Sequence, residues 1–199
     1  MDKISEAKKK ILAAALEEFG KKGYQNASTN QIKDRADVSK GLIFKHFSNK
    51  SMLFYEVFSQ ALVRLKEAID TVQLDYNTPI YERLLEIVLF KVAYAKKNPY
   101  DTAILLEAFR SPQEEWQDKM KDLIVVMTKM SLEHIITQED MNAFSSRFTK
   151  EDVIRNITLA TSGLQEMYVN ESLSLEYLEN VREEAFMFLK IVIEGMKDR

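Results

Sequence analysis

Between Val38 and Phe47 the chain reads VSKGLIFKHF, in which two lysines, a histidine and a glycine stand among large apolar side chains. The chemistry these types share is contact with a polyanion. Lysine ammonium groups neutralise phosphates, glycine lets a backbone come close, and Leu42 or Phe44 can touch a thymine methyl group. Ser39 has the hydroxyl that caps a helix start, and Val38 before it can pack as a hydrophobic staple. A helix so started places Ile43 and Phe47 four apart, facing inward with Ile32 and Ala36. Lys40, Gly41, Leu42, Phe44, Lys45 and His46 are left for the outward face.

The elements that must position this stretch read as helices throughout. The apolar spacing follows a 3.6-residue period, with no strand-like alternation between hairpin signals. Ile4 to Lys22 forms a first helix with Leu12, Ala15, Leu16 and Phe19 on one face, stopped between Gly20 and Gly23. Ser28 or Thr29 caps a short helix to about Ala36, and the turn to the next lies at Asp37 to Ser39. Ser48 or Asn49 opens a longer helix to about Val72. Thr78-Pro79, Asn98-Pro99 and Ser111-Pro112 each set a cap residue before a proline at the first helical position, so helices start near 79, 99 and 112. The helix from 80 to 97 is apolar almost all round, which marks a buried central element. Thr149 with Asp152 forms a capping box, and Ser174 begins the last helix. The fold class is all-α with about nine helices, and the stretch from Asp140 to Phe148 is an unassigned connection.

Composition bounds the function. The 199 residues are 46% hydrophobic and 30% charged, as in a globular chain with one core and a small appended unit. There is no cysteine, hence no disulfide framework, no thiolate nucleophile and no cysteine-based metal site. The apolar run Ile11 to Leu16 is too short for a signal-peptide core and no stretch approaches a membrane span, which predicts a cytoplasmic protein. The net charge of -3 divides unevenly: residues 1 to 50 hold 11 Lys+Arg against 6 Asp+Glu, leaving 17 against 25 for the remainder. A basic amino-terminal unit on an acidic body suits a first part that meets a polyanion.

Short helix, tight turn and short helix is the plan of a helix-turn-helix unit. Residues 4 to 53 resemble the amino-terminal DNA-binding domain of TetR-type transcriptional regulators, through ILAAALEEFGKKGY, STNQIKDRADVSKGLIFKHF and NKSML in that order. The resemblance covers about a quarter of the chain. It implies a helix-turn-helix DNA-binding domain at 1–50 and a helical ligand-binding and dimerisation domain at 51–199. Carried over by position, Thr29 matches the phosphate-binding hydroxyl at the start of the second helix, and Ser28 before it joins the DNA-binding set. Lys40, Gly41 and Leu42 match the groove-facing start of the recognition helix, with Lys45 beside them. His46 matches a backbone-contacting residue and Lys50 the lysine that starts helix four. Phe44 stands where the family usually has tyrosine, and Asp37 where it commonly has a turn glycine. The first lacks a phenol hydroxyl for phosphate; the second tolerates left-handed geometry.

In the acidic body, Trp116, Met120, Leu123, Met127, Met130 and His134 run along one helix face. With Phe90, Tyr94, Glu107 and Phe109 they are candidates for an apolar effector pocket, with Lys91 as an anion partner; a core role accounts for the same stripe. Phe90, Tyr94, Phe109, Trp116, Met120, Met127 and His134 are the ligand-binding set. Val153, Ile157, Ala160, Leu164 and Met167 form a stripe on one late helix. Leu178, Val181, Ala185, Phe188 and Val192, and then Phe186, Leu189, Ile193 and Met196, form two on the last. One of these serves the chain's own core, and a second predicts a homodimer through the last two helices. The function expected is a ligand-responsive DNA-binding regulator, a repressor released from a palindromic operator by a small apolar or amphipathic effector. The alternative is a ligand-sequestering or protein-interaction dimer without specific DNA binding. An enzyme lacks support: the chain has two histidines and no Glu-x-x-His, His-Glu-x-x-His, Gly-x-Ser-x-Gly or phosphate-loop pattern. No cofactor and no metal are implied.

Overall fold

A computed structural model describes residues 6–110, 117–169 and 175–198. Among these, ten helices follow in order: α1 (Glu6–Asn26), α2 (Thr29–Ala36), α3 (Lys40–Phe47), α4 (Lys50–Asp70), α5 (Ile80–Lys97), α6 (Pro99–Arg110), α7 (Gln117–Ile135), α8 (Gln138–Asn142), α9 (Lys150–Val169) and α10 (Leu175–Gly195). The helix beyond the expected nine is α8, inside the unassigned connection. Its capping box, Thr137 with Asp140, starts a helix of little more than one turn, too short for apolar periodicity to mark. The expected starts at Ser111-Pro112 and Ser174 lie outside the described residues. Two compact units emerge, Met1–Leu65 with Lys97–Val125, and Lys66–Lys96 with Val126–Arg199.

The first unit is built around Ile11, Phe19, Ile32, Ile43, Leu53, Phe54, Phe58 and Ile104, all fully buried. Phe54 meets Phe19 edge-on at 5.2 Å between ring centroids and Tyr24 at 5.1 Å. α1 turns at Gly23, where φ is +70°, a conformation glycine alone adopts without strain. The unit also contains α6, packed closely on α1. A Cβ on Gly20 would stand 2.8 Å from the Tyr100 Cβ and 3.0 Å from its Cα, so only glycine permits this approach. Two long-range contacts fasten α6. Asp101 accepts two hydrogen bonds from the Arg64 guanidinium, at 2.6 and 3.0 Å, and Glu107 accepts the Tyr24 amide N–H at 2.7 Å. Asp101 is buried, which makes this pair stronger than a surface bridge.

In the second unit, α5 buries Ile80, Arg83, Leu84, Leu85, Ile87, Val88 and Val92, as its all-round apolar character predicts. Arg83 is compensated in full. Its guanidinium donates to the backbone carbonyls of Tyr76, Thr78 and Ile135 and to the carboxylate of Asp140. Asp140 also accepts from the Thr137 amide and hydroxyl. Burial raises the Asp140 carboxyl, but Thr137 and Arg83 outweigh it and hold it below its ordinary range. Thr149 and Asp152 form the expected reciprocal cap of α9. After α10 the chain returns to Phe144 and Ser145 through an isolated bridge and the Ser145 N–H to Met196 carbonyl bond of 2.9 Å.

The stripes of α9 and α10 fall differently from the sequence reading. Val153, Ile157, Ala160 and Leu164 are buried within the chain's own core, and Met167 is exposed. On α10 the inner face combines Ala185, Leu189, Ile193 and Met196, drawing on both predicted stripes. Among the described residues the large apolar side chains left outside are Leu159 and Met167 on α9 and Met187, Phe188 and Ile191 on α10; the side chains of Leu178 and Val181 from the predicted stripe lie outside the described residues. Apolar spacing fixes that a helix has two faces; when both are apolar, it does not fix which one packs inward.

Candidate nucleic-acid interface

Helix α3 is held by few contacts and presents the rest. Ser39 Oγ accepts the Leu42 N–H at 3.2 Å, and Val38 packs against the core beside it. Ile43 and Phe47 are buried, Leu42 and Phe44 half-buried, and Lys40, Gly41, Lys45 and His46 exposed. The turn before α3 is closed by Asp37 in the left-handed conformation, φ 53° and ψ 53°, as expected where glycine is common. Its N–H bonds the Asp34 carbonyl at 3.3 Å.

Gly41 carries the clearest signal. A Cβ placed there would meet only Ser39 Oγ, at 4.0 Å. Among the described residues nothing requires glycine at that position, and glycine within a helix is disfavoured by up to roughly 1 kcal/mol relative to alanine. A bare backbone on an exposed helix start is suited to close approach from outside. Lys40 Nζ lies 6.0 Å from the Phe44 ring centroid, so the cation rests over the aromatic face while it remains open to an anion.

The start of α2 is set by a residue that the sequence reading missed. Glu18, directly before Phe19 at the end of α1's apolar stripe, is 1% exposed. Its carboxylate accepts from Lys22 Nζ at 2.9 Å, the Ser28 N–H at 3.1 Å and Arg35 Nη1 at 3.5 Å. Burial raises its pKa, but these donors outweigh it and keep the group ionised below its ordinary range. Glu18 therefore locks α1 to both ends of α2 and fixes the position of Thr29. Ser28 occupies the N-cap of α2, yet its side chain makes no capping bond, contrary to the expected hydroxyl cap. A glutamate flanked by Ala15 and Phe19 on an apolar face was the signal available. Asn49 opens α4 by accepting the Met52 N–H at 2.7 Å. Lys50 follows, its ammonium 3.2 Å from the Gln25 carbonyl and 4.8 Å from the Tyr24 ring centroid. Burial lowers its pKa, with Glu107 and Glu18 pulling the other way.

The residues proposed for a ligand divide between the units. Met120 is buried in the core of the first, and Phe109 lies in α6 of that unit. Phe90 and Tyr94 are half-buried on α5 in the second. Met127 is half-buried there, and His134 is exposed, its carbonyl accepting from the Tyr76 hydroxyl at 2.8 Å. Trp116 lies outside the described residues. A recess of about 310 Å³ in the first unit is lined by Lys9, Leu12, Ala13, Leu16, Val57, Gln60 and Arg64. None of the proposed ligand residues lines it.

With this geometry in view, the comparisons with known proteins agree. The family described as "Bacterial regulatory proteins, tetR family" matches residues 11–57. The chain is 27% identical over 139 residues to the "Probable acrEF/envCD operon repressor" of Escherichia coli K12, covering 68% of this chain and 61% of that one. It thus spans about three fifths of the length of that curated relative. The structure resembles the fatty acid degradation regulator FadR from Bacillus halodurans, with a TM-score of 0.71 at 16% identity over the whole of both chains. It also resembles FadR from Bacillus subtilis in complex with stearoyl-CoA, at 0.65 and 16%, covering 94% of this chain and 98% of that one. These likenesses establish a shared fold. The matched amino-terminal segment thus resembles the DNA-binding domain of the tetR family of bacterial regulatory proteins, and the rest of the chain shares the fold of such regulators.

Proposed function

We propose that this chain is a ligand-responsive, DNA-binding transcriptional regulator, a repressor that a small apolar or amphipathic effector releases from a palindromic operator. The observation that carries the reading is the outward face of α3, where Lys40, Gly41, Lys45 and His46 are exposed and Gly41 has no internal reason to be glycine. In this reading residues 1–50 bind DNA, through Ser28, Thr29, Lys40, Gly41, Leu42, Phe44, Lys45, His46 and Lys50. Residues 51–199 bind the effector and dimerise. Among the described residues no helix is long and apolar enough to cross a membrane, consistent with a cytoplasmic regulator. The family is one of regulators rather than enzymes, and no catalytic role is assigned.

Two α3 helices in successive major grooves require a two-fold dimer. The exposed apolar residues of α9 and α10 supply its interface: Leu159, Met167, Met187, Phe188 and Ile191. Release requires a second geometry that the effector binds more tightly, because a ligand shifts an equilibrium only by its differential affinity. α4 is the natural lever, as it runs unbroken through the division after Leu65. α6 is a second one, through Glu107 on Tyr24 and Asp101 on Arg64.

The test is binding of purified protein to the palindromes that flank its gene, followed by fluorescence anisotropy against salt with and without Lys40→Ala/Lys45→Ala. Selective binding that the double variant loses supports the reading. Absence of selective binding, with ligand affinity intact, leaves a sequestering dimer.

A further inference from the structure

Helix α5 carries two cations among buried apolar side chains, and they are treated differently. Arg83 is met by three carbonyls and a carboxylate. Lys91, eight residues on, forms no ion pair and no hydrogen bond with any described residue. Its neighbours one helical turn away are Ile87, Val88, Tyr94 and Ala95, none of them acidic, and Ile87 and Val88 are buried. Glu86, five residues before Lys91 on α5, is exposed and paired with Arg182 at 3.1 Å. Desolvation pushes the Lys91 ammonium down to about 8, and no carboxylate among the described residues offsets it.

An uncompensated ammonium in such surroundings opposes folding unless an anion reaches it. Lys91 is half-buried, so its ammonium is partly desolvated while the residue stays within reach of a ligand. Phe90 and Tyr94, four residues apart and both half-buried, form an aromatic strip beside it. We propose that Lys91 is the charge partner for an anionic headgroup, carboxylate or phosphate, of an amphipathic effector whose apolar body lies against Phe90 and Tyr94. This rests on the effector-responsive reading above and narrows it from apolar or amphipathic molecules to amphipathic anions.

The experiment uses the full chain, with dodecanoate, dodecanoyl-coenzyme A and the neutral dodecanol as probes, titrated by calorimetry into the wild type, Lys91→Met and Lys91→Arg. One charge-assisted contact predicts that Lys91→Met weakens the anionic probes by roughly ten- to a hundredfold. Dodecanol changes by less than about threefold, because it makes no such contact. Lys91→Arg keeps a preference for the anions, and the thermal midpoint of ligand-free Lys91→Met is equal to or above that of wild type. A preference for dodecanoyl-coenzyme A over dodecanoate assigns the phosphates of the headgroup; the reverse assigns the carboxylate. Anion affinity unchanged in Lys91→Met overturns the role of Lys91 while leaving the effector reading intact. Binding of none of the probes overturns both.

Discussion

The two units use their unpaired lysines in opposite settings. Lys40 and Lys45 stand in water on α3, whereas Lys91 sits among apolar side chains on α5. An exposed lysine costs the fold almost nothing and acts on a polyanion by releasing condensed counterions, so its contribution collapses as salt rises. A desolvated lysine opposes folding and acts on a single small anion, in a setting that salt screens weakly. The same side chain thus suits long, repeated charge in one place and a lone headgroup in the other.

Substitutions and pH separate the two settings. The largest expected effect is on DNA: Lys40→Ala/Lys45→Ala lowers operator affinity by roughly a hundredfold or more at about 100 mM salt and leaves effector affinity unchanged. Lys91→Met is the mirror image, sparing DNA binding in the absence of effector. A second break lies in pH. The folded Lys91 value of about 8 lies below its ordinary 10.5, so the native protein binds fewer protons between those values, and ligand-free stability rises with pH across that window. Affinity for an anionic effector falls as pH passes about 8, and Lys91→Met abolishes both trends in denaturant titrations and calorimetry.

Smaller effects sharpen the positioning of α3. Glu18→Gln weakens a buried carboxylate bonded to Lys22, Ser28 and Arg35 and costs about 1–3 kcal/mol by chemical denaturation. Because folding lowers the Glu18 pKa, its contribution is complete above its ordinary value of 4.5 and lost as pH falls through the folded value; the variant lacks that acid sensitivity. Gly41→Ala separates folding from function, stabilising α3 by up to about 1 kcal/mol while weakening DNA binding. If DNA affinity is unchanged, the bare backbone at position 41 has no role in the interface. Phe44→Tyr is the mildest change, adding a phenol hydroxyl that gains at most one phosphate bond, read as a DNA affinity within about tenfold of wild type.

What the sequence disclosed was local. Ser39 as a cap, Asp37 as a left-handed turn, the proline starts at 79 and 99 and the Thr149–Asp152 box all depend on residues within one turn of each other, and each is present. The inward pair Ile43 and Phe47 followed from the same short-range geometry. What stayed hidden joins distant parts of the chain: Glu18 to Ser28, Glu107 to Tyr24 and Arg83 to Asp140. No spacing rule links residues that only the tertiary fold brings together. The placing of α6 in the first unit and the inward phase of α10 were hidden for the same reason.

The salt dependence of DNA affinity bears most directly on α3 as the element that reads DNA. The measurement is anisotropy of the wild type and of Lys40→Ala/Lys45→Ala on the palindrome beside the gene and on a scrambled duplex, between about 50 and 200 mM salt. The prediction is selective wild-type binding that weakens on the order of a thousandfold over that range, with a shallower slope in the variant by about one unit for each phosphate contact removed. Equal affinity for both duplexes, or the same slope in both proteins, would contradict the assignment of α3 as the element that reads DNA.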